Sequence, residues 1–506
     1  MASEARWRVA GNCGQLLPIS AARAISRRSA DEAANLTPLV SFNGGDGSNP
    51  VGAGVIMDAK GNLFGTTFSG GAHGGGTVFE IAKTAEGYAS TPTVLYSFCL
   101  LPNCADGQGP NGSLIFDAKG NLFGTTFGGG LSVGPSGGGT VFEIVKTAHG
   151  YASTLTTLIH FNTATGTGPS AGLIADAKGN LFGTTANSGP NDGQGTVFEI
   201  VKTAHGYAST PTVLVTFNGT NGGGSFAPVI ADAHGNLFGT TFFGGANNKG
   251  VVFEIVKTAH GYASTPTVLY SFCSLSNCAD GAGPEAGLII DTKGNLFGTT
   301  TGDLVNAGTV FEIARTADGY ASTPTTLVTF FCAPGNCGDG DRPGPRAGLI
   351  ADPRGNLFGT TFNGGANGDG TVFKIAKTAD GYASTPTTLA DFDGSDGANP
   401  WGDLLADAKG TLFGTTNVGG ANNRGTVFEV TDSGFIIFAG TPGKPNCFGQ
   451  SVAALARQYG GLNAAAEALG YPSVRALQKA ILEFCEPDEA AEHRKNNAGQ
   501  SNSISP

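Results

Sequence analysis

Six glutamates, Glu80, Glu143, Glu199, Glu254, Glu312 and Glu429, occupy one equivalent position in a V-F-E segment that recurs along the chain. Carboxylates gathered around a common axis could hold a cation. Lys374 stands in the seventh place, however, so a hydrogen-bonded or solvated strand residue is the better reading of the set. His149, His205 and His260 also recur, but in a T-A-x-G position that elsewhere holds Glu86, Asp318 or Asp380. A position that accepts either sign of charge is a solvent-facing turn. The remaining histidines, His73, His160, His234 and His493, have no mutual spacing suited to a metal. D-G steps such as Asp46-Gly47 and Asp396-Gly397 lack the D-x-D-x-D-G order of a calcium loop and read as turns. No nucleophile elbow, phosphate-binding loop or dinucleotide fingerprint is present. No catalytic residue, metal ligand or cofactor is therefore assigned.

Cysteine carries more information. Cys99 and Cys104, Cys273 and Cys278, and Cys332 and Cys337 form F-C-x4-C pairs at one equivalent place, Cys447 and Cys485 bracket a later segment, and Cys13 stands alone. Zinc would require a second pair of Cys or His near each C-x4-C, and none is there. Disulfides are the expected chemistry, and they place the chain in an oxidising compartment: periplasm, cell surface or medium. Residues 1–35 contain Arg6, Arg8, Arg23, Arg27 and Arg28 but no apolar run long enough for a signal-peptide core, so a start further upstream is expected. Aromatic residues mark a possible ligand face: Phe68, Phe127, Phe242 and Phe362 each follow a T-T step, and Trp401 precedes the last repeat. Such rings can stack on sugars or grip a partner, although packing between sheets would also use them.

These residues are positioned by a repeat. G-N-L-F-G-T-T starts at Gly61, Gly120, Gly179, Gly235, Gly294 and Gly355, and G-T-L-F-G-T-T at Gly410, at intervals of 55 to 61 residues. Within one period lie four short apolar runs: residues 55–58, the L-F-G-T-T run, residues 77–81 and residues 94–98. They are separated by D-A-K-G and T-A-x-G, where Asp can accept backbone hydrogens and Gly can take positive φ. Four antiparallel strands repeated seven times predict an all-β, seven-bladed β-propeller over residues 36–438. In it both tight turns lie at one end and the variable connections, with the cysteines, lie at the other. Gly65 is expected to admit the neighbouring blade. A run of the fourth type occurs once too often, so residues 39–42 and 435–438 compete to close the ring.

D-x-x-G-N-L-F-G-T-T followed by G-G-A-N-x-x-G-T-V-F-x-I resembles the Gloeo-Verruco (GloVer) tandem repeat of bacterial extracytoplasmic proteins with varying anchors. That resemblance implies a propeller of unknown biochemical role, with no catalytic residues to carry over.

Composition narrows the partners. A net charge of −11 argues against nucleic acid, whose phosphates demand clustered Lys and Arg. No stretch is long and apolar enough for a membrane span. After a linker at residues 439–446 the composition shifts to Ala, Leu and Gln, which predicts a small α-helical module over residues 447–485, closed by Cys447 and Cys485. Residues 1–35 and 486–506 are expected to be disordered extensions. The expectation is a monomeric extracytoplasmic binding or surface-structural protein whose candidate partners are a glycan or a cell-surface protein. The alternative is a propeller hydrolase or lyase acting on a polysaccharide or lactone at the channel mouth.

Overall fold

The computed structural model describes residues 34–52, 54–131, 137–191, 193–302, 308–330, 344–407, 409–436, 446–459, 461–468 and 473–485. Cys13, the Cys332 and Cys337 pair, the 439–446 linker apart from residue 446, and the 486–506 tail lie outside these residues.

Blade 1 is built of Ile56–Met57, Leu63–Thr67, Thr77–Ile81 and Thr93–Ser97, paired in that order as an antiparallel sheet. The same order recurs from Ile115–Phe116 to Thr156–His160 in blade 2, Ile174–Ala175 to Thr212–Thr216 in blade 3, and Ile230–Ala231 to Thr267–Ser271 in blade 4. Blade 5 runs from Ile289–Ile290 to Thr325–Thr329, and blade 6 from Ile350–Ala351 to Thr387–Asp391. In blade 7, Leu405–Ala406, Leu412–Val418 and Thr426–Thr431 supply three strands and Asn35–Ser41 supplies the outermost, with Asn35 opposite Thr431 and Ser41 opposite Thr426. The result is a seven-bladed β-propeller. Closure thus belongs to the N-terminal strand, which among the described residues is the one that continues the ladder of Thr426–Thr431. Asn422 Nδ2 reinforces it by donating to the Phe42 carbonyl at 3.1 Å.

Each D-x-x-G turn is fixed by its aspartate. Asp58 Oδ1 accepts the backbone N–H groups of Lys60 and Asn62, both at 2.9 Å, while Gly61 takes φ +86°. The T-A-x-G turn differs from the expected link between third and fourth strands. It closes a small separate hairpin, Lys83–Thr84 against Gly87–Tyr88, that recurs in blades 1 to 6. The tyrosine of each hairpin reaches the preceding blade: Phe64 meets Tyr151, Phe123 meets Tyr207, and Phe413 meets Tyr88, with ring centroids 5.4 to 5.6 Å apart.

The core consists of seven clusters, each shared by two adjacent blades. One phenylalanine pair recurs at every interface, from Phe42 with Phe79 at 5.1 Å through Phe98 with Phe142 at 5.2 Å to Phe392 with Phe428 at 5.0 Å. The glycine of L-F-G-T-T serves this pair, and not the neighbouring blade as expected. A Cβ on Gly65 would lie 2.6 Å from Cζ of Phe79, its own cross-strand partner. The ring folds back over the glycine because a side chain there would occupy the same space.

The hairpin is missing from blade 7, and three other positions change with it. Asn62 Oδ1 accepts the N–H of Lys83 at 2.9 Å, and its equivalents do the same in five further blades, but blade 7 has Thr411. Phe435 substitutes for the absent tyrosine, packing on Phe358 at 4.9 Å. Burial raises the pKa of each recurring glutamate, and the hairpin Lys or Arg of the following blade draws it back, as Lys146 does for Glu80 and Lys202 for Glu143. Blade 6 faces no such hairpin, and there the glutamate is replaced by Lys374. These glutamates lie on third strands and therefore form a ladder between blades, away from the channel wall.

Beyond blade 7, α1 (Cys447–Tyr459), α2 (Leu462–Ala468) and α3 (Val474–Cys485) pack around Leu455, Ala465, Leu477 and Ile481, joined by Ile436 from the end of the propeller chain. Cys447 and Cys485 are disulfide-bonded. Ser473 caps α3, its Oγ accepting the Ala476 N–H at 3.2 Å. No helix among the described residues is long and apolar enough to cross a membrane.

Candidate functional site

At the variable end the chain drops from each loop into an innermost strand through a short segment, G-P-x-A-G-L in its commonest form. These segments touch their neighbours around the axis. A Cβ on Gly112 would meet the Ala171 carbonyl oxygen at 2.4 Å, and one on Gly54 would meet that of Asp403 at 2.4 Å. Thr125, Thr184, Thr240 and Thr299 each donate a hydroxyl hydrogen to the alanine carbonyl of the next blade's segment, at 2.8 to 3.1 Å. Small residues are required because seven backbones converge there.

Two positions escape that restriction. The residue after the proline position is Val51, Asn111, Ser170, Phe226, Glu285, Arg346 and Trp401 in blades 1 to 7. Two steps nearer the strand, or three in blade 1, stand Gly54, Gly172, Gly287 and Gly348, but Ser113 in blade 2, Pro228 in blade 4 and Asp403 in blade 7. Symmetry is broken most strongly over blades 5 to 7. Arg346 Nη1 lies 3.8 Å from Glu285 Oε2, and the guanidinium carbon is 4.5 Å from the Phe362 ring centre and 4.6 Å from that of Trp401. The two rings meet edge to face at 5.3 Å. Burial raises the pKa of Glu285, and Arg346 opposes that shift.

Below this rim, Asp403 Oδ1 accepts the Gly348 N–H at 2.6 Å, and Ser113 Oγ accepts the Gly54 N–H at 3.0 Å. Burial raises the Asp403 pKa, against the pull of the Gly348 N–H, although the residue retains partial exposure. Gly112 and Gly402 precede Ser113 and Asp403, where other blades have alanine. At these two junctions the donor threonine loses its acceptor: Thr66 and Thr360 bury hydroxyls without a hydrogen-bond partner.

The aromatic residues singled out in the sequence fall on the same rim. A Cβ on Gly109 would come within 2.9 Å of the Phe68 ring, one on Gly168 within 2.9 Å of Phe127, and one on Gly283 within 3.1 Å of Phe242. Each ring leans on the next blade's descending segment, as Phe362 leans on Trp401. Phe127 is 38% exposed and Phe242 36%, so neither is consumed by packing. Glu285, Arg346 and Asp403 were not singled out in the sequence. For Glu285 and Arg346 the signal lies in the register after the proline, where seven equivalent positions carry seven different residues, and for Asp403 in a register that is otherwise mostly glycine.

Other polar residues of the loops and turns have local duties. Asp106 accepts the Tyr96 hydroxyl at 2.9 Å and the N–H groups of Leu100 and Leu101, bracing the loop closed by Cys99 and Cys104. Asp280 and Tyr270 repeat the arrangement beside the Cys273 and Cys278 disulfide. Tyr270 is pushed up to about 12, chiefly by burial. Asp46 accepts the Asn43 N–H at 2.8 Å, a turn contact. His149, His205 and His260 are exposed hairpin residues. Among the described residues no three His, Cys, Asp or Glu side chains group as a metal site.

A family model described as the Gloeobacter/Verrucomicrobia repeat matches residues 28–210 and 320–439, more than half the chain. A search of curated proteins finds no match. Solved structures with a similar course include a candidate 6-phosphogluconolactonase from Bacteroides uniformis, 14% identical with a TM-score of 0.45 over 70% of this chain and 88% of that one. A protein from Lactobacillus plantarum is 17% identical, with a TM-score of 0.44 over 72% and 90% of the two chains.

Proposed function

The chain belongs to the Gloeobacter/Verrucomicrobia repeat family, and on that footing we propose that it is an extracytoplasmic, monomeric binding protein whose ligand seats at the variable end of the channel. The observation that carries this reading is the cluster of Glu285, Arg346, Phe362 and Trp401 on adjacent blades. A scaffold that only displayed its helical module would have no need for charge and aromatic surface gathered at one sector of the rim. Loops presented by a rigid scaffold are where binding sites are built. The exposed rings of Phe127 and Phe242 extend the same face. Disulfides in two repeat loops and in the helical module support an oxidising location.

Screening the purified protein against a glycan array and a panel of cell-surface proteins tests the assignment. A bound class is expected, with affinity lost in Trp401→Ala and Phe362→Ala. Silence across both panels would reject it. The hydrolase or lyase alternative draws support from Asp403, a carboxyl group of raised pKa on the segment that carries Trp401. Under that alternative a bound polysaccharide or lactone would be cleaved, and Asp403→Asn would abolish cleavage while leaving binding intact.

A further inference from the structure

We propose that the ligand of this rim is a sugar bearing a carboxylate, with Arg346 receiving the acid group beside Trp401 and Phe362; the inference rests on the binding reading above. Among the seven residues that follow the proline position, Arg346 is the one cation. Its guanidinium lies in the corner formed by two edge-to-face rings, at 4.5 and 4.6 Å from their centres, so its orientation is fixed before any ligand arrives. Its one ion-pair contact among the described residues, to Glu285 Oε2 at 3.8 Å, is too long for a good hydrogen bond. A guanidinium has five N–H donors arranged as a fork that matches a carboxylate. The side chain is 37% exposed, which leaves the fork reachable from the mouth.

The surroundings select a sugar acid from among anions. The Phe362 and Trp401 rings beside the guanidinium present aromatic surface that suits the C–H face of a pyranose. Asp403, two residues beyond Trp401, accepts the Gly348 N–H through Oδ1, and its second oxygen suits a ring hydroxyl. A single cation on a protein of net charge −11 suits one acid group at the end of a glycan better than a long polyanion.

Titration calorimetry of the whole protein with disaccharides ending in glucuronic, galacturonic or mannuronic acid, each beside its carboxyl-reduced counterpart, tests the assignment. At least one acid should bind roughly tenfold or more tighter than its neutral counterpart, the factor expected of a charge-assisted hydrogen bond. Arg346→Ala should remove that preference, and Arg346→Lys should recover part of it. Glu285→Gln, which removes the competing carboxylate, should tighten acid binding several-fold, a gain that misfolding cannot mimic. Equal affinity for acid and neutral sugars would overturn the carboxylate assignment, as would acid binding indifferent to both Arg346→Ala and Glu285→Gln. In either case sensitivity to Trp401→Ala would preserve the binding reading. Binding of a peptide C-terminal carboxylate without any sugar would also overturn the sugar assignment. Silence toward every sugar and every array member would reject both.

Discussion

Lys374 shows how a single residue can report on a neighbouring blade. Six blades place a glutamate beside the next blade's hairpin cation, and the blade that faces no hairpin places a lysine instead. Asp352 attracts that lysine, while burial lowers its pKa. Lys374→Glu would set a half-buried carboxylate near Asp352 with no hairpin cation opposite. A loss of about 1–3 kcal/mol is expected in urea unfolding, the range for a buried charged group left unsatisfied. The glutamates themselves make stability depend on pH. Their folded pKa values lie above the ordinary 4.5, so in that window the folded chain binds protons that the unfolded chain releases. Stability from these groups is therefore full below 4.5 and declines as pH rises through the folded values. As pH rises above 4.5, thermal midpoints of the wild type should fall more steeply than those of a Glu80→Gln, Glu143→Gln, Glu199→Gln triple variant.

At the scale of elements, the ring depends on Asn35–Ser41. This strand gives blade 7 its outer ladder and brings Val40 and Phe42 into the cluster shared with blade 1. Deleting residues 1–42 should expose the edge of Thr426–Thr431 and the Phe79 ring at once, producing aggregation or a large drop in thermal midpoint. Deleting residues 1–33 should leave the midpoint unchanged. Differential scanning calorimetry with size-exclusion chromatography distinguishes the two outcomes. The hairpins show which parts of an element are legible in the sequence. T-A-x-G was readable as a turn, since Gly87 takes φ +135°. That the turn closes a separate two-residue hairpin was not readable, because Lys83 is held by Asn62 of the earlier D-x-x-G turn and Tyr88 by a phenylalanine of the preceding blade.

For the molecule as a whole, the propeller and the helical module have different sources of stability. The propeller buries seven inter-blade clusters, whereas α1, α2 and α3 share one small cluster and a disulfide separated by 38 residues in sequence. A loop of that length stabilises by about 4 kcal/mol in the chain-entropy account, a large share for so small a core. Reduction should therefore unfold the module while the propeller persists. Loss of ellipticity at 222 nm with unchanged near-ultraviolet signal from the β core is the expected observation, and Cys447→Ala with Cys485→Ala should reproduce it.

The sequence by itself determined the blade number, the strand pattern, the turns and the cysteine pairs joined by disulfides within the described residues, because each depends on residues near one another in the chain and repeats often enough to be compared. Tertiary structure alone decided that Asn35–Ser41 closes the ring, that Gly65 makes way for Phe79, and that Glu285, Arg346 and Trp401 share a rim. Those three residues are more than fifty positions apart from one to the next, and only the curvature that brings successive blades around one axis places their side chains together.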